Sequence, residues 1–220
     1  MTGVQTCALP ISEGQARPVP LPGAAGLAGP ADSYTQRGIG DRCIIFGTGG
    51  IWQLPFIYGN SYQLIQTPDY VVMRYEMIHE ARMIPLDGRP TVSPAVRGYF
   101  GDSRGYWDGN TLVVVTTNVH DSLTYRLGNV GGGAVDRRGP ALPVTNLRIV
   151  ERFTRTAPNT VEWTVTLDDP ASYTRPWTYS FPLTEDNTQT IHEYACHEGN
   201  YAMHNILSAG RAADASGTVR

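Results

Sequence analysis

The stretch Leu147-Arg148-Ile149-Val150-Glu151-Arg152-Phe153-Thr154-Arg155-Thr156-Ala157-Pro158-Asn159-Thr160-Val161-Glu162-Trp163-Thr164-Val165-Thr166-Leu167-Asp168 decides the fold. Leu147, Ile149 and Phe153 alternate with Arg148, Arg152 and Thr154. Val161, Trp163, Val165 and Leu167 alternate with Glu162, Thr164, Thr166 and Asp168. A period of two puts one set on each face of a strand, and Ala157-Pro158-Asn159 supplies the turn. The pair predicts an antiparallel hairpin with one buried and one polar face.

The same pattern continues outward. Tyr62–Gln66 reads as a strand before the Thr67-Pro68-Asp69 turn. Tyr70–Met77 alternates as a second strand, and Ile78-His79-Glu80 connects it to a third, Ala81–Leu86. Residues 90–104 read as irregular. Trp107-Asp108-Gly109-Asn110 reads as a hairpin turn leading into the β-branched run Thr111–Thr117. Residues 127–146 read as a loop, Trp177–Leu183 and Gln189–Cys196 as further strands, and Tyr201–Ala209 as a short helix. About eight short strands in sequence-adjacent hairpins predict an all-β fold. A lipocalin-like (calycin) up-and-down antiparallel barrel is favoured over a sandwich, incomplete at its N-terminus if residues are missing upstream. At this strand number its interior would suit one small ligand.

Composition limits the chemistry. The chain has 220 residues, net charge −3, 41% hydrophobic and only 17% charged residues. This fits one domain and gives no basic footprint for nucleic acid. All 17 basic residues are Arg, so chemistry that needs a Lys in this chain is excluded. No run of about 18 apolar residues is present, so no membrane-spanning helix is expected. Residues 1–40 are expected to be an artefactual or disordered leader, 41–210 the single β-barrel domain and 211–220 a disordered tail. Met1–Ile11 resembles a translated sequencing adapter, and a signal peptide is taken to be lost ahead of it.

Several groups carry possible chemistry. Glu76, His79 and Arg82 lie within seven residues around one strand connection. A carboxylate can orient an imidazole, and a guanidinium can hold an oxyanion, so His79 is the candidate acid–base with Glu76 and Arg82 as orienters. The alternative is an ordinary surface ion-pair cluster. Tyr75, Trp107 and Trp177, with Arg74 and Arg152, are the candidate ligand-binding residues, because pockets combine apolar walls with a few polar fixing points. His192, Cys196, His197 and His204 have metal-ligand side chains but match no standard spacing. No metal and no cofactor is expected.

Specific motifs add a resemblance. They are Gln63-Leu64-Ile65-Gln66-Thr67-Pro68, Leu86-Asp87-Gly88-Arg89-Pro90, Ser103 to Val114, Val150-Glu151-Arg152-Phe153-Thr154-Arg155, Asp168-Asp169-Pro170 with Tyr173 to Thr178, and Glu193 to Tyr201. Over about residues 42–210 the chain resembles a group of uncharacterised, mostly exported, β-rich bacterial proteins common in soil metagenomes. The resemblance implies export to the periplasm or medium and implies no particular reaction. The group commonly has His at the positions of Thr91 and Tyr106 and an acid at that of Val115, so this chain departs from it there. In an exported protein Cys43 and Cys196 would form a disulfide; two free thiols, or a metal or catalytic role, are the alternatives. Such a bridge would add roughly 4–5 kcal/mol in the chain-entropy model.

The function expected from these readings is binding of a small, largely apolar molecule inside the barrel. The alternatives are a hydrolase, lyase or isomerase using His79, and a structural or interaction β-domain. A small-molecule ligand is the expected partner, with neither nucleic acid nor membrane insertion.

Overall fold

The computed structural model describes residues 4–5, 34, 42–44, 60–77, 80–120, 124–126, 141–143, 146–171 and 173–216. The strands are β1 (Val4–Gln5), β2 (Ser61–Gln66), β3 (Tyr70–Tyr75), β4 (Ala81–Pro85), β5 (Asp102–Asp108) and β6 (Thr111–Thr117). They continue with β7 (Thr124–Arg126), β8 (Ala141–Pro143), β9 (Arg148–Ala157), β10 (Thr160–Asp168) and β11 (Trp177–Glu185). One helix, α1 (Tyr201–Ala215), follows. The chain is therefore mostly β with a C-terminal helix. Among the described residues no helix is long and apolar enough to cross a membrane.

Nine strands form one antiparallel sheet in the order β4-β3-β2-β1-β11-β10-β9-β6-β5, and β7 pairs with β8 separately. The hairpin read from the sequence lies inside it, between β11 and β6, with Trp163 opposite Phe153 and Leu167 opposite Ile149. The Asp108-Gly109-Asn110-Thr111 turn joins β5 to β6, and Gly109 takes the positive φ of 58° that a tight hairpin needs. Followed around the sheet, the strands keep chain order, with the β7–β8 excursion set aside. The ladder is open at one place, because β4 and β5 come together without being paired by backbone hydrogen bonds. A lipocalin-like closed ladder is thus absent among the described strands.

Side chains fill that seam. An ideal Cβ on Gly105 would lie 2.8 Å from Ile84 Cγ2 and 2.8 Å from Leu86 Cδ2. Only a residue without a Cβ lets β4 approach β5 this closely. The 86–101 connection is fastened to the strands it joins. Val92 N donates to Asp102 Oδ2 at 2.9 Å, Arg104 donates to Pro90 O at 3.0 and 3.1 Å, and Asn118 Nδ2 donates to Val92 O at 3.1 Å.

The inward faces of the strands form one core. Tyr62, Met73, Tyr75, Ile84, Val114, Ile149, Trp163, Val165, Leu167, Tyr179, Phe181 and Leu183 all belong to it. Trp163 is its hub at 0% exposure. Its ring stacks on Phe153 at 5.4 Å and meets Tyr62 and Phe181 edge-on at 5.9 and 5.1 Å. These geometries suit aromatic quadrupoles and lock the ring orientations.

Three readings of the sequence are corrected. Residues 102–104 belong to strand β5 and not to an irregular segment. Ala141–Pro143 is a strand inside the stretch read as a loop. Gln189–Cys196 is not a strand: it runs as coil and turns with mostly exposed side chains, so no buried face was available to hold it in a ladder.

Candidate functional site

The interior holds a charged pair. Arg82 on β4 and Glu151 on β9 both occupy inward positions, beside Ile84 and between Ile149 and Phe153. Arg82 Nη2 donates to Glu151 Oε1 at 3.0 Å, and Arg82 Nη1 lies 2.8 Å from Glu151 Oε2. Their side chains are 3% and 0% exposed. Arg82 Nη2 also lies 3.0 Å from Met73 Sδ, a contact Tyr75 Oη approaches at 3.8 Å. Arg82 Nε is buried with no hydrogen-bond partner.

Burial dominates the electrostatics here. It raises Glu151 above the usual carboxylate range, and the charge and hydrogen bond of Arg82 offset only part of that rise. Burial works against the Arg82 charge too, but Glu151 and Tyr75 outweigh it, so the guanidinium is raised and stays protonated. Tyr62 and Tyr179 are raised by burial first and then by neighbouring acidic groups, Glu151 among them. Tyr75 is also raised, by burial and Glu151, with Arg82 opposing. The contacts thus make the centre a buried guanidinium–carboxyl pair surrounded by neutral phenols. It can donate or accept hydrogen bonds in a water-poor space, where each such bond counts for more.

The sequence candidates separate into three groups. Arg82 and Tyr75 belong to this centre. Glu76 is half-buried and accepts from Ser61 N at 3.3 Å, while Arg82 is committed to Glu151; His79 lies outside the described residues. Arg82 thus turns inward to Glu151, and the placement of His79 relative to Glu76 lies outside the described residues. Arg74 and Arg152 are exposed on the outer face, and Arg152 pairs with Asp108 at 2.8 Å. They do not enter the interior, because they sit one residue out of phase with Tyr75, Glu151 and Phe153. Trp177 is half-buried against Tyr173 and Tyr179. Trp107 shares its face with Ser103 and Gly105 and pairs in register with Leu112, yet is 48% exposed at the end of β5.

Cys43 and Cys196 form a disulfide with Cα atoms 5.7 Å apart. Cys196 is thereby consumed, so the His192, His197 and His204 cluster loses its thiolate. Among the described residues no group of three His, Cys, Asp or Glu side chains is arranged to hold a metal.

Tyr62 and Tyr179, which the aromatic content of the sequence offers as pocket lining, do face this centre, whereas Glu151 was not singled out as a site residue. The signal for Glu151 was present: it falls in phase with Ile149 and Phe153, and a carboxylate on an apolar strand face demands a buried partner. None of the protein-family models, curated proteins or solved structures compared with the chain matches it.

Proposed function

We propose that this chain is an exported binding protein whose curled sheet works as a lipocalin-like barrel and takes one small, largely apolar molecule at the Arg82–Glu151 centre. The buried ion pair carries the reading. Desolvating both charges is costly, and apolar residues of similar volume would fill the space at least as favourably. Placing such a pair among aromatic walls, with one guanidinium N–H unpartnered, supports recognition of a polar group on an otherwise apolar ligand. The disulfide supports an oxidising compartment.

A second reading, a structural β-domain, draws on a different observation: Trp163, Tyr62 and Tyr75 fill the middle of the sheet with almost no exposure. Native mass spectrometry of the full chain made in an oxidising compartment separates the two. A co-purifying small molecule, lost from Arg82→Met/Glu151→Leu but kept by Arg152→Ala, is the result expected of a binding protein. A bare mass, joined by no thermal shift across a panel of neutral apolar compounds, would leave the structural domain in its place.

A further inference from the structure

We infer that the seam between β4 and β5 is the gate through which a ligand reaches the interior, with Arg82–Glu151 as its inner latch. The ligand itself rests on the binding function proposed above; the gate stands on separate observations. The β4–β5 contact is the one place among the described strands of the large sheet where neighbouring strands lack a ladder. Their contact is made by Ile84 and Leu86 over Gly105, and side-chain contacts of this kind separate without breaking a row of backbone hydrogen bonds.

The seam is held unequally along its length. Every neighbouring pair in the sheet is antiparallel, so eight reversals leave β4 and β5 running parallel where they meet. The 86–101 connection turns back along β5, and its bonds to Asp102, Arg104 and Asn118 fasten the end where Ala81 and Asp102 lie. The looser end is formed by Pro85 on β4 and Trp107–Asp108 on β5. Trp107 lies there on the inward face but half open to solvent, an aromatic surface where a ligand could first land. At the fastened end Arg82 reaches from β4 past the seam to Glu151 on β9, two strands beyond β5. Swinging β4 outward must break this contact, and a polar group on an entering ligand can replace it at Arg82. The latch thus couples opening to ligand chemistry: a hydrogen-bond acceptor eases the motion, a pure hydrocarbon does not.

Two measurements test the gate. In the first, Ile84→Cys and Leu183→Cys are compared by thiol-labelling rate, read peptide by peptide; both positions are buried, one at the seam and one across the sheet on β11, away from Glu151. A local gate labels position 84 at least about tenfold faster than position 183, and Glu151→Gln widens that ratio. Equal rates at the two positions, or a ratio that Glu151→Gln leaves unchanged, would overturn it. In the second, Ile84→Cys/Gly105→Cys locks the seam. The Gly105 Cβ position is 2.8 Å from Ile84 Cγ2, and the Ile84 Cβ is one bond further at most, which suits the roughly 3.5–4.5 Å span of a disulfide. The probe is 6-propionyl-2-(dimethylamino)naphthalene, a neutral apolar fluorophore whose carbonyl oxygen accepts a hydrogen bond. The oxidised double variant is expected to bind it at least about tenfold more slowly than either single variant; equal rates refute the gate. A wild-type chain that never takes up the probe counts against the ligand, while the labelling ratio still decides the gate.

Discussion

Arg82 and Glu151 meet face to face inside the sheet, 69 residues apart in the chain, with contacts of 3.0 and 2.8 Å. Removing one partner strands the other charge in an apolar space. Glu151→Leu alone should therefore cost about 3–5 kcal/mol, whereas Arg82→Met/Glu151→Leu should be close to neutral or stabilising. Urea denaturation of the two single variants and the double variant measures this directly. Additive losses in the double variant would show that the two residues act independently.

Gly105 is where the two ends of the sheet touch. Gly105→Ala puts a methyl 2.8 Å from both Ile84 and Leu86 side chains. Overpacking of this kind should cost about 1–3 kcal/mol, less whatever the two side chains recover by moving. Ile84→Val in the same chain should recover part of the loss, because it removes atoms beside the new methyl. A double-mutant cycle by thermal unfolding reads the coupling, and strict additivity would mean that the close approach is not what requires glycine.

The legible part of this fold was the part with one buried and one polar face. β9 and β10 could be read because Ile149, Phe153, Trp163, Val165 and Leu167 keep strict alternation, and burial follows it residue by residue. β5 escaped because Arg104 and Gly105 break the apolar pattern; that glycine serves a contact with β4 that no local signal encodes. The stretch 189–196 misled for the opposite reason. Its Thr, Ile and Tyr residues favour strands, but mostly exposed side chains give a ladder nothing to bury. At the site, proximity in sequence grouped Arg82 with Glu76 and His79, whereas strand phase turned it inward to a partner on β9. Long-range pairing of this sort depends on how the sheet curls, which no window of the sequence contains.

The buried phenols set an alkaline limit. Tyr62, Tyr75 and Tyr179 have pKa values raised above the ordinary 10.0 chiefly by burial. In the unfolded chain each ionises near 10.0; in the folded protein it does not. The folded state thus binds more protons above that pH. The stabilisation from these groups is complete below pH 10.0 and is lost as pH rises toward their folded-state values. Tyrosinate absorbance of the folded protein should rise through the exposed phenols first and leave these three silent until unfolding. Tyr75→Phe should reduce the amplitude of that late step and not the early one.

The Cys43–Cys196 disulfide joins the segment before β2 to the segment after β11, across 153 residues. Closing so long a loop restricts the unfolded chain strongly, and Cys43→Ser/Cys196→Ser should lower stability by about 5 kcal/mol in the chain-entropy model. The bridge lies outside the sheet, next to the turn that enters α1, where Asn200 Nδ2 approaches Cys43 Sγ at 3.3 Å. The variant should therefore keep its near-ultraviolet signal from the Trp163 cluster while its unfolding midpoint falls. Loss of that signal under native conditions would mean that the bridge also shapes the core.

Asp87 provides a local acid titration at the turn after β4. Arg89 Nε donates to Asp87 Oδ1 and Oδ2 at 2.9 and 2.8 Å, and Arg89 Nη2 donates to Tyr70 Oη at 3.0 Å. The Arg89 hydrogen bonds, side-chain first, hold the Asp87 carboxyl down at about 2 against an ordinary value of 3.8. The folded state releases this proton more readily than the unfolded one. Its stabilisation is therefore present above pH 3.8 and is lost as pH falls through about 2. The pair is open to solvent, so added salt should weaken it. Carboxyl-carbon NMR should place the Asp87 midpoint near 2 and move it back toward 3.8 in Arg89→Gln. An unchanged midpoint in that variant would assign the shift to the turn backbone instead of the arginine.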